Sequence, residues 1–524
     1  MPQLLELEVL FTPCLPIPSA AGAYCMFSCR SLTSTATRTG VVRTSIIRAL
    51  AVAVLASSTS SSASSTTRTR TRTTFSISSP GVGFVSTAPA SATRSMGSHR
   101  QASFFGSRHA SFSSTVSLPG SATERPATSL IFDAAEVADA GLSPDTTVLV
   151  GKKSTLTSLL DDAEAISGAL GVEGDLEETL LSVIKAAFES IGGKSGSAST
   201  FVPSSGGGGG SIQKVAFVVL PDTVTRNNHP MRVHSLTDSL GRVTPGKGDV
   251  KVVVATGGDE AVTPGSMGLA IAKAFPLYSR KTKGGKPKDD ADRSIAVTLL
   301  DGSFQPIKDE DAVAAMSAAA EGARLAARLV DTPPEELTTT AFAAEAAAIA
   351  EALGGSVTYD EIVGDDLFEK GYGGLHAVGR CAVEPPRLVM LNYEPEAPTA
   401  ETKTFALVGK GIIYDTGGLS LKPKTGMCGM KGDMGGAAGL LGAFSAAVSL
   451  GVPHKITLLL CLAENAIGPS AFRNDDILTM LSGKTVEVNN CDAEGRLVLA
   501  DGVNHATKYI ESKKSHGCSL PFMV

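Results

Sequence analysis

The chain has 524 residues, 43% of them hydrophobic, which is enough for two or three domains with cores of their own. Its formal charge is −6, but residues 124–524 carry 36 Lys and Arg against 50 Asp and Glu, a charge of 36 − 50 = −14. A body this acidic argues against nucleic acid as the main partner. From Val9 to Thr123 there is no Asp, Glu or Lys, yet ten arginines lie among serines and threonines, as in SSTSSSASSTTRTRTRTTFS. Residues 1–125 are therefore expected to be a disordered Arg/Ser/Thr-rich leader that resembles a mitochondrial or plastid transit peptide. The alternatives are a plain disordered tail or a mispredicted gene start, with Met26 as another start, and for location the cytoplasm. The apolar run IIRALAVAVLA is eleven residues long, well short of the about 20 that span a bilayer, so no membrane partner is expected. Three of the eight cysteines lie in the leader and the rest have no CxxC spacing, which fits a reducing interior.

Regular structure is expected from about Leu130. The run DLEETLLSVIKAAFESIG, Asp175 to Gly192, has apolar positions at 176, 180, 183, 184, 187, 188 and 191, the pattern of an amphipathic helix. The Gly/Ser stretch near 192–211 has the composition of a flexible linker. VAFVVL (215–220) and VKVVVAT (250–256) are strand-like and SMGLAIAKAF is helical, an alternation that predicts an α/β domain over 126–310 with a largely parallel sheet. An alanine-rich helix over about 311–330 ends at DTPPEEL, whose paired prolines cannot continue it, and a second helix runs to Gly354. Strands are expected at 387–393, 405–415 and 455–463, in a second domain over 311–524.

The chemistry-bearing residues fall in two runs. In GKGIIYDTGGLSLKPKTGMCGMKGDMGGAAGLLGAF, Lys410 and Asp415 close a hydrophobic strand, Gly417 and Gly418 free the backbone to turn, and Lys422 follows in a loop. Asp433 stands just before a helix of small residues, whose amide end favours a carboxylate. In NNCDAEGRLVLADG, read as extended chain, Asp492, Glu494 and Arg496 project to one side. Singly, each residue has a bland explanation: Asp433 as a helix N-cap, Asp415 as a turn former, Lys422 as a solvated lysine, Asp492 and Glu494 as exposed strand residues. Four carboxylates converging on one buried sheet end would repel one another unless cations were present. Two divalent ions supply four positive charges, and oxygen ligands suit zinc, manganese or magnesium.

Together GKGIIYDTGGLSLKP and NNCDAEGRLVLADG resemble the leucyl aminopeptidase family of two-metal exopeptidases, whose diagnostic run is Asn, usually Thr, then Asp-Ala-Glu-Gly-Arg-Leu. VDTPPEEL, GYGGLHAVGRCAVEPPRLV and GDMGGAAG extend the similarity over about Ala327 to Asp501, and the Tyr-Asp-Thr-Gly-Gly wording is most similar to the aminopeptidase-like branch. The resemblance implies an α/β fold with a smaller N-terminal domain and a catalytic domain whose mixed sheet is flanked by helices. It implies that Asp415, Asp492 and Glu494 bind one metal ion and Lys410, Asp415, Asp433 and Glu494 the other. It also implies that Lys422 polarises the scissile carbonyl and that Arg496 holds a bicarbonate ion serving as general base. The substrates would be peptides with a free N-terminus and a leucine-like first residue, and the assembly a homo-oligomer, a hexamer in the family.

Two departures accompany the resemblance. Cys491 takes the place of the usual Thr and, by alternation, points away from the metal-facing residues. The ending HATKYIESKKSHGCSLPFMV is unlike the family's continuation, so the catalytic domain is expected to be incomplete at its C-terminus. The alternative is then a catalytically inactive, truncated homologue acting as a binding or structural subunit. An aspartic protease is the third reading, because Tyr-Asp-Thr-Gly resembles that catalytic turn, but no second Asp-Thr-Gly or Asp-Ser-Gly occurs.

Overall fold

The computed structural model describes residues 128–510 except 133–143, 173–175, 204–211, 224, 226–228, 230, 245–247, 260–261 and 279–292. The arginine-rich leader and the ending beyond residue 510 lie outside the described residues. No helix among them is long and apolar enough to cross a membrane.

The first half builds a six-stranded sheet. Strands β1 (Thr128–Ile131) and β2 (Thr146–Lys152) lead into helices α1 (Lys153–Asp161), α2 (Ala163–Leu170) and α3 (Glu178–Glu189). Then come β3 (Gly196–Pro203), β4 (Ile212–Leu220), α4 (Val233–Val243), β5 (Val250–Ala255), α5 (Pro264–Ala272) and β6 (Arg293–Leu300). The strand order is β1-β6-β5-β2-β4-β3, parallel except for β3. Parallel strands covered on both faces need no polar alternation, which is why VAFVVL and VKVVVA are nearly all apolar. Val148, Val150, Ala216 and Val252 pack with α4 and α5 on one face, while Leu149, Val215, Phe217 and Val253 pack with α1 to α3 on the other.

The expected Gly/Ser linker is corrected in part. Gly196–Pro203 is an edge strand, antiparallel to β4, with Val202 buried. Ladder hydrogen bonds come from the backbone, so an edge strand can form from GSASTFVP although its composition suggests a flexible connection. Residues 204–211 of that stretch lie outside the described residues.

The second half begins with α6 (Glu310–Asp331) and α7 (Thr339–Leu353) and continues through β7 (Val357–Val363), α8 (Asp365–Glu369), α9 (Gly373–Gly379), β8 (Arg387–Tyr393), β9 (Thr404–Asp415), α10 (Lys424–Met427), α11 (Gly435–Ser449) and β10 (Lys455–Asn465). A short hairpin of β11 (Ile477–Thr479) and β12 (Thr485–Glu487) precedes α12 (Glu494–Tyr509). Here the sheet is mixed, in the order β7-β8-β10-β9, with only β9 and β10 parallel. Leu458, Leu460 and Leu462 turn toward α6, α7 and α11, and Leu459, Cys461 and Ala463 toward α9 and α12. This is the period-2 alternation of a strand buried on both sides.

Helix α6 serves both halves. Met316, Ala320 and Ala323 belong to the core of the first sheet, and Ala326, Leu329 and Val330 to that of the second. It crosses α11 so closely that a Cβ built on Gly442 would lie 2.2 Å from the Gly322 carbonyl oxygen, and one on Gly322 would lie 2.6 Å from that of Gly442. Backbone cannot yield as a side chain does. Gly442→Ala is expected to force the helices apart and cost about 1–3 kcal/mol, the usual range for overpacking a filled core. Urea unfolding of the variant checks this, and no loss of stability would contradict the close crossing.

Candidate metal centre

Strand β9 carries the first two functional side chains. Lys410 lies within the strand and Asp415 ends it, only 2% exposed. Gly417 and Gly418 follow with φ of +84° and +57°, a left-handed conformation that a side-chain-bearing residue seldom adopts, and they turn the chain back. The returning loop is closed by Lys422 N donating to Thr416 O at 2.9 Å, which sets Lys422 beside the strand end.

Asp433 precedes α11 but does not cap it. The residue at the cap position is Met434, and no side chain accepts from the first turn. The Asp433 carboxylate turns instead to Lys410, whose Nζ lies 2.9 Å from Oδ1 and 2.8 Å from Oδ2. An ammonium is a stronger attraction than a helix terminus.

The extended reading of NNCDAEGR is also corrected. Cys491–Ala493 is a single 3-10 turn and α12 starts at Glu494. Asn490 drives the change: its side chain accepts from Asp492 N at 2.9 Å, and Leu497, Val498 and Asp501 then bury one helical face. Asp492 and Glu494 still reach the same place, one from the turn and one from the first helical residue, but Arg496 is exposed. Cys491 does point away, though by burial and not by alternation: its Sγ donates to Phe472 O and Asn474 Oδ1 at 3.4 and 3.3 Å.

The result is one connected cluster of six side chains. Lys410 Nζ also lies 3.0 Å from Glu494 Oε1. Lys422 Nζ lies 2.8 Å from Asp415 Oδ2 and contacts Asp492 Oδ1 as well. Asp415, Asp433 and Glu494 each offer an oxygen within 4.8 Å of the others. Burial pushes the Asp433 carboxyl up to about 6, with Asp415 and Glu494 adding repulsion that Lys410 only partly offsets. Burial works against both lysine charges, yet the neighbouring carboxylates hold Lys410 and Lys422 above the usual lysine range.

Four carboxylates against two ammonium groups leave the cluster negative. Glu494 Oε2 is buried with no hydrogen-bond partner among the described residues, in a side chain that lies close to Asp415 and Asp433. Such a donor set, oxygen-rich and short of positive charge, fits divalent cations. Lys410 fits as a ligand only when neutral, and an adjacent dication favours that form.

One contributor escapes sequence reasoning. Asn465, at the end of β10 and fully buried, donates from Nδ2 to Asp415 Oδ1 at 2.8 Å and to Cys491 O at 3.1 Å. Its signal is faint: a polar residue closing the apolar strand KITLLLCLAE.

Comparison with known proteins gives this geometry its context. Residues 324–515 match the model of the cytosol aminopeptidase family, catalytic domain. Over 290 residues the chain is 42% identical to the mouse "Probable aminopeptidase NPEPL1", covering 55% of this chain and 53% of that protein. With "Leucine aminopeptidase 1" of Caenorhabditis elegans it shares 38% identity over 365 residues, 70% of this chain and 68% of the worm protein. Its fold superposes on the leucyl aminopeptidase of Trypanosoma brucei in complex with bestatin with a TM-score of 0.60 at 36% identity, covering 73% of this chain and 70% of that one. The chain thus spans only about half the length of the mouse relative. Identity, fold and site agree: the chain belongs to the cytosol, or leucyl, aminopeptidase family.

Proposed function

We propose that this chain is a metal-dependent aminopeptidase that removes a leucine-like N-terminal residue from peptides. What carries the proposal is the gathering of Asp415, Asp433, Asp492 and Glu494 around two lysines, with a buried Glu494 oxygen left unpartnered. One ion would be held by Asp415, Asp492 and Glu494, and a second by Lys410, Asp415, Asp433 and Glu494, with zinc or manganese suited to both. When bound, the pair supplies the positive charge that acidifies an attacking water and receives the free α-amino group. The remaining work falls to the chain. Lys422, held in place by Asp415 and Asp492, is a fixed cation for the scissile carbonyl oxygen and the charge it gains as the adduct forms. Arg496, exposed on the first turn of α12, is free to hold an anion such as bicarbonate as general base.

The test is hydrolysis of a leucyl chromogenic amide by the purified chain with manganese or zinc, with and without chelator, beside the N-acetylated amide. Chelator-sensitive cleavage of the free amine alone is expected. A folded, metal-loaded chain with no turnover would instead support the reading as a non-catalytic subunit.

A further inference from the structure

We propose that Asn465 is a positioning residue of the metal centre, one that commits one oxygen of Asp415 to the protein so that the other faces the cations. The inference rests on the metallopeptidase reading and on four observations about the strand ends. First, β9 and β10 run in register up to Ile412 and Ala463, and the register then shifts so that Asp415 stands opposite Asn465. Three residues on β9 are matched against two on β10. Such a bulge re-aims a side chain, and here it brings an amide and a carboxylate face to face.

Second, Asp415 Oδ1 is fully occupied. It accepts from Asn465 Nδ2 at 2.8 Å and from Gly417 N at 2.9 Å, whereas among the described residues Oδ2 meets the Lys422 ammonium alone. Third, the same amide nitrogen also reaches Cys491 O, so it fixes the turn bearing Asp492 relative to the strand bearing Asp415. Fourth, Asn465 is itself clamped. Its main-chain carbonyl accepts from Thr416 N at 3.2 Å and from Thr416 Oγ1 at 2.6 Å, and Gly418 leaves its side chain room, since a Cβ there would lie 2.8 Å from Asn465 Oδ1. With its backbone held and its Nδ2 shared between Asp415 Oδ1 and Cys491 O, the amide orients the carboxylate it binds. Asn465 need touch neither an ion nor a substrate to do this.

Calorimetric titration of the chain with Mn²⁺ decides the matter, using Asn465→Ala and Asn465→Asp beside the wild type. N465A removes the donor without adding charge. N465D is isosteric but places a carboxylate where Asp415 expects a donor. Both are expected to bind Mn²⁺ 10–100-fold more weakly than wild type, the usual cost of losing a group that orients a metal ligand. A group acting only through its charge would give the opposite sign in N465D, since one more negative charge strengthens cation binding. Titrations are run below each variant's unfolding transition, and either variant alone suffices. Affinity within twofold of wild type in a folded variant, or tighter binding by N465D, overturns the inference. Failure of the wild-type chain itself to bind Mn²⁺ would overturn the metallopeptidase reading instead, so the two failures are distinguishable.

Discussion

Glu494→Gln is expected to lower kcat/KM on a leucyl amide by more than about 100-fold while leaving the chain folded. Losing a group that merely orients a metal ligand costs about 10–100-fold, and in the two-ion centre proposed above Glu494 would be a ligand of both ions. Glutamine keeps the shape and can still accept from Lys410, 3.0 Å away, but it removes one of the four negative charges that draw cations to the site. Stability should move little, or even rise, because an isolated buried carboxylate oxygen is costly to keep and Oε2 has no hydrogen-bond partner. The measurement is kcat/KM across a range of Mn²⁺ concentrations, with the unfolding transition of the metal-free chain as control. A loss smaller than tenfold with the fold intact would remove Glu494 from the centre.

Asp501→Ala should show the converse, a large loss of stability from a residue outside the cluster of carboxylates and lysines. Asp501 is completely buried on α12, two turns beyond Glu494. Its Oδ2 accepts from Gly374 N and Leu375 N at 2.8 and 3.0 Å, and its Oδ1 from Leu481 N at 2.9 Å. One carboxylate therefore joins α12 to the start of α9 and to the turn between β11 and β12. Burial pushes its pKa up and the three amides pull it down. Alanine would leave three buried N–H groups without acceptors at about 1–3 kcal/mol each, partly offset by the carboxylate desolvation no longer paid. A net loss of about 3–5 kcal/mol in urea unfolding is expected. Less than about 1 kcal/mol would mean that water or a backbone shift replaces the carboxylate.

Much of the scaffold is legible in the sequence because long apolar runs leave few choices. RLVMLNY is a strand with the expected ends, β9 and β10 extend the expected runs by one or two residues, and α6 spans one residue more at either end than its alanine pattern suggests. The chemistry-bearing residues are legible as types but not as geometry. Asp492 and Glu494 are two apart, which suits a strand; the Asn490 side chain tips that stretch into a turn and a helix, and such a local hydrogen bond leaves no periodicity to read. Asp433 looks like a cap until Lys410, 23 residues earlier, is seen to claim it. Asn465 matters through a shift of register between two strands, a relation that no window of sequence contains. The edge strand β3 hides behind the composition of a linker.

Helix α6 gives the chain an indivisible quality. With Met316 and Ala320 on one sheet and Leu329 and Val330 on the other, a cut on either side of it would leave half an apolar face in water. The free energies of the two cores are therefore not separate quantities: loosening one frays the helix that roofs the other, and the two described halves are expected to unfold together. Of the two sheets only one carries the cluster of carboxylates and lysines, yet the helix packed over that sheet is also packed on the one that carries none.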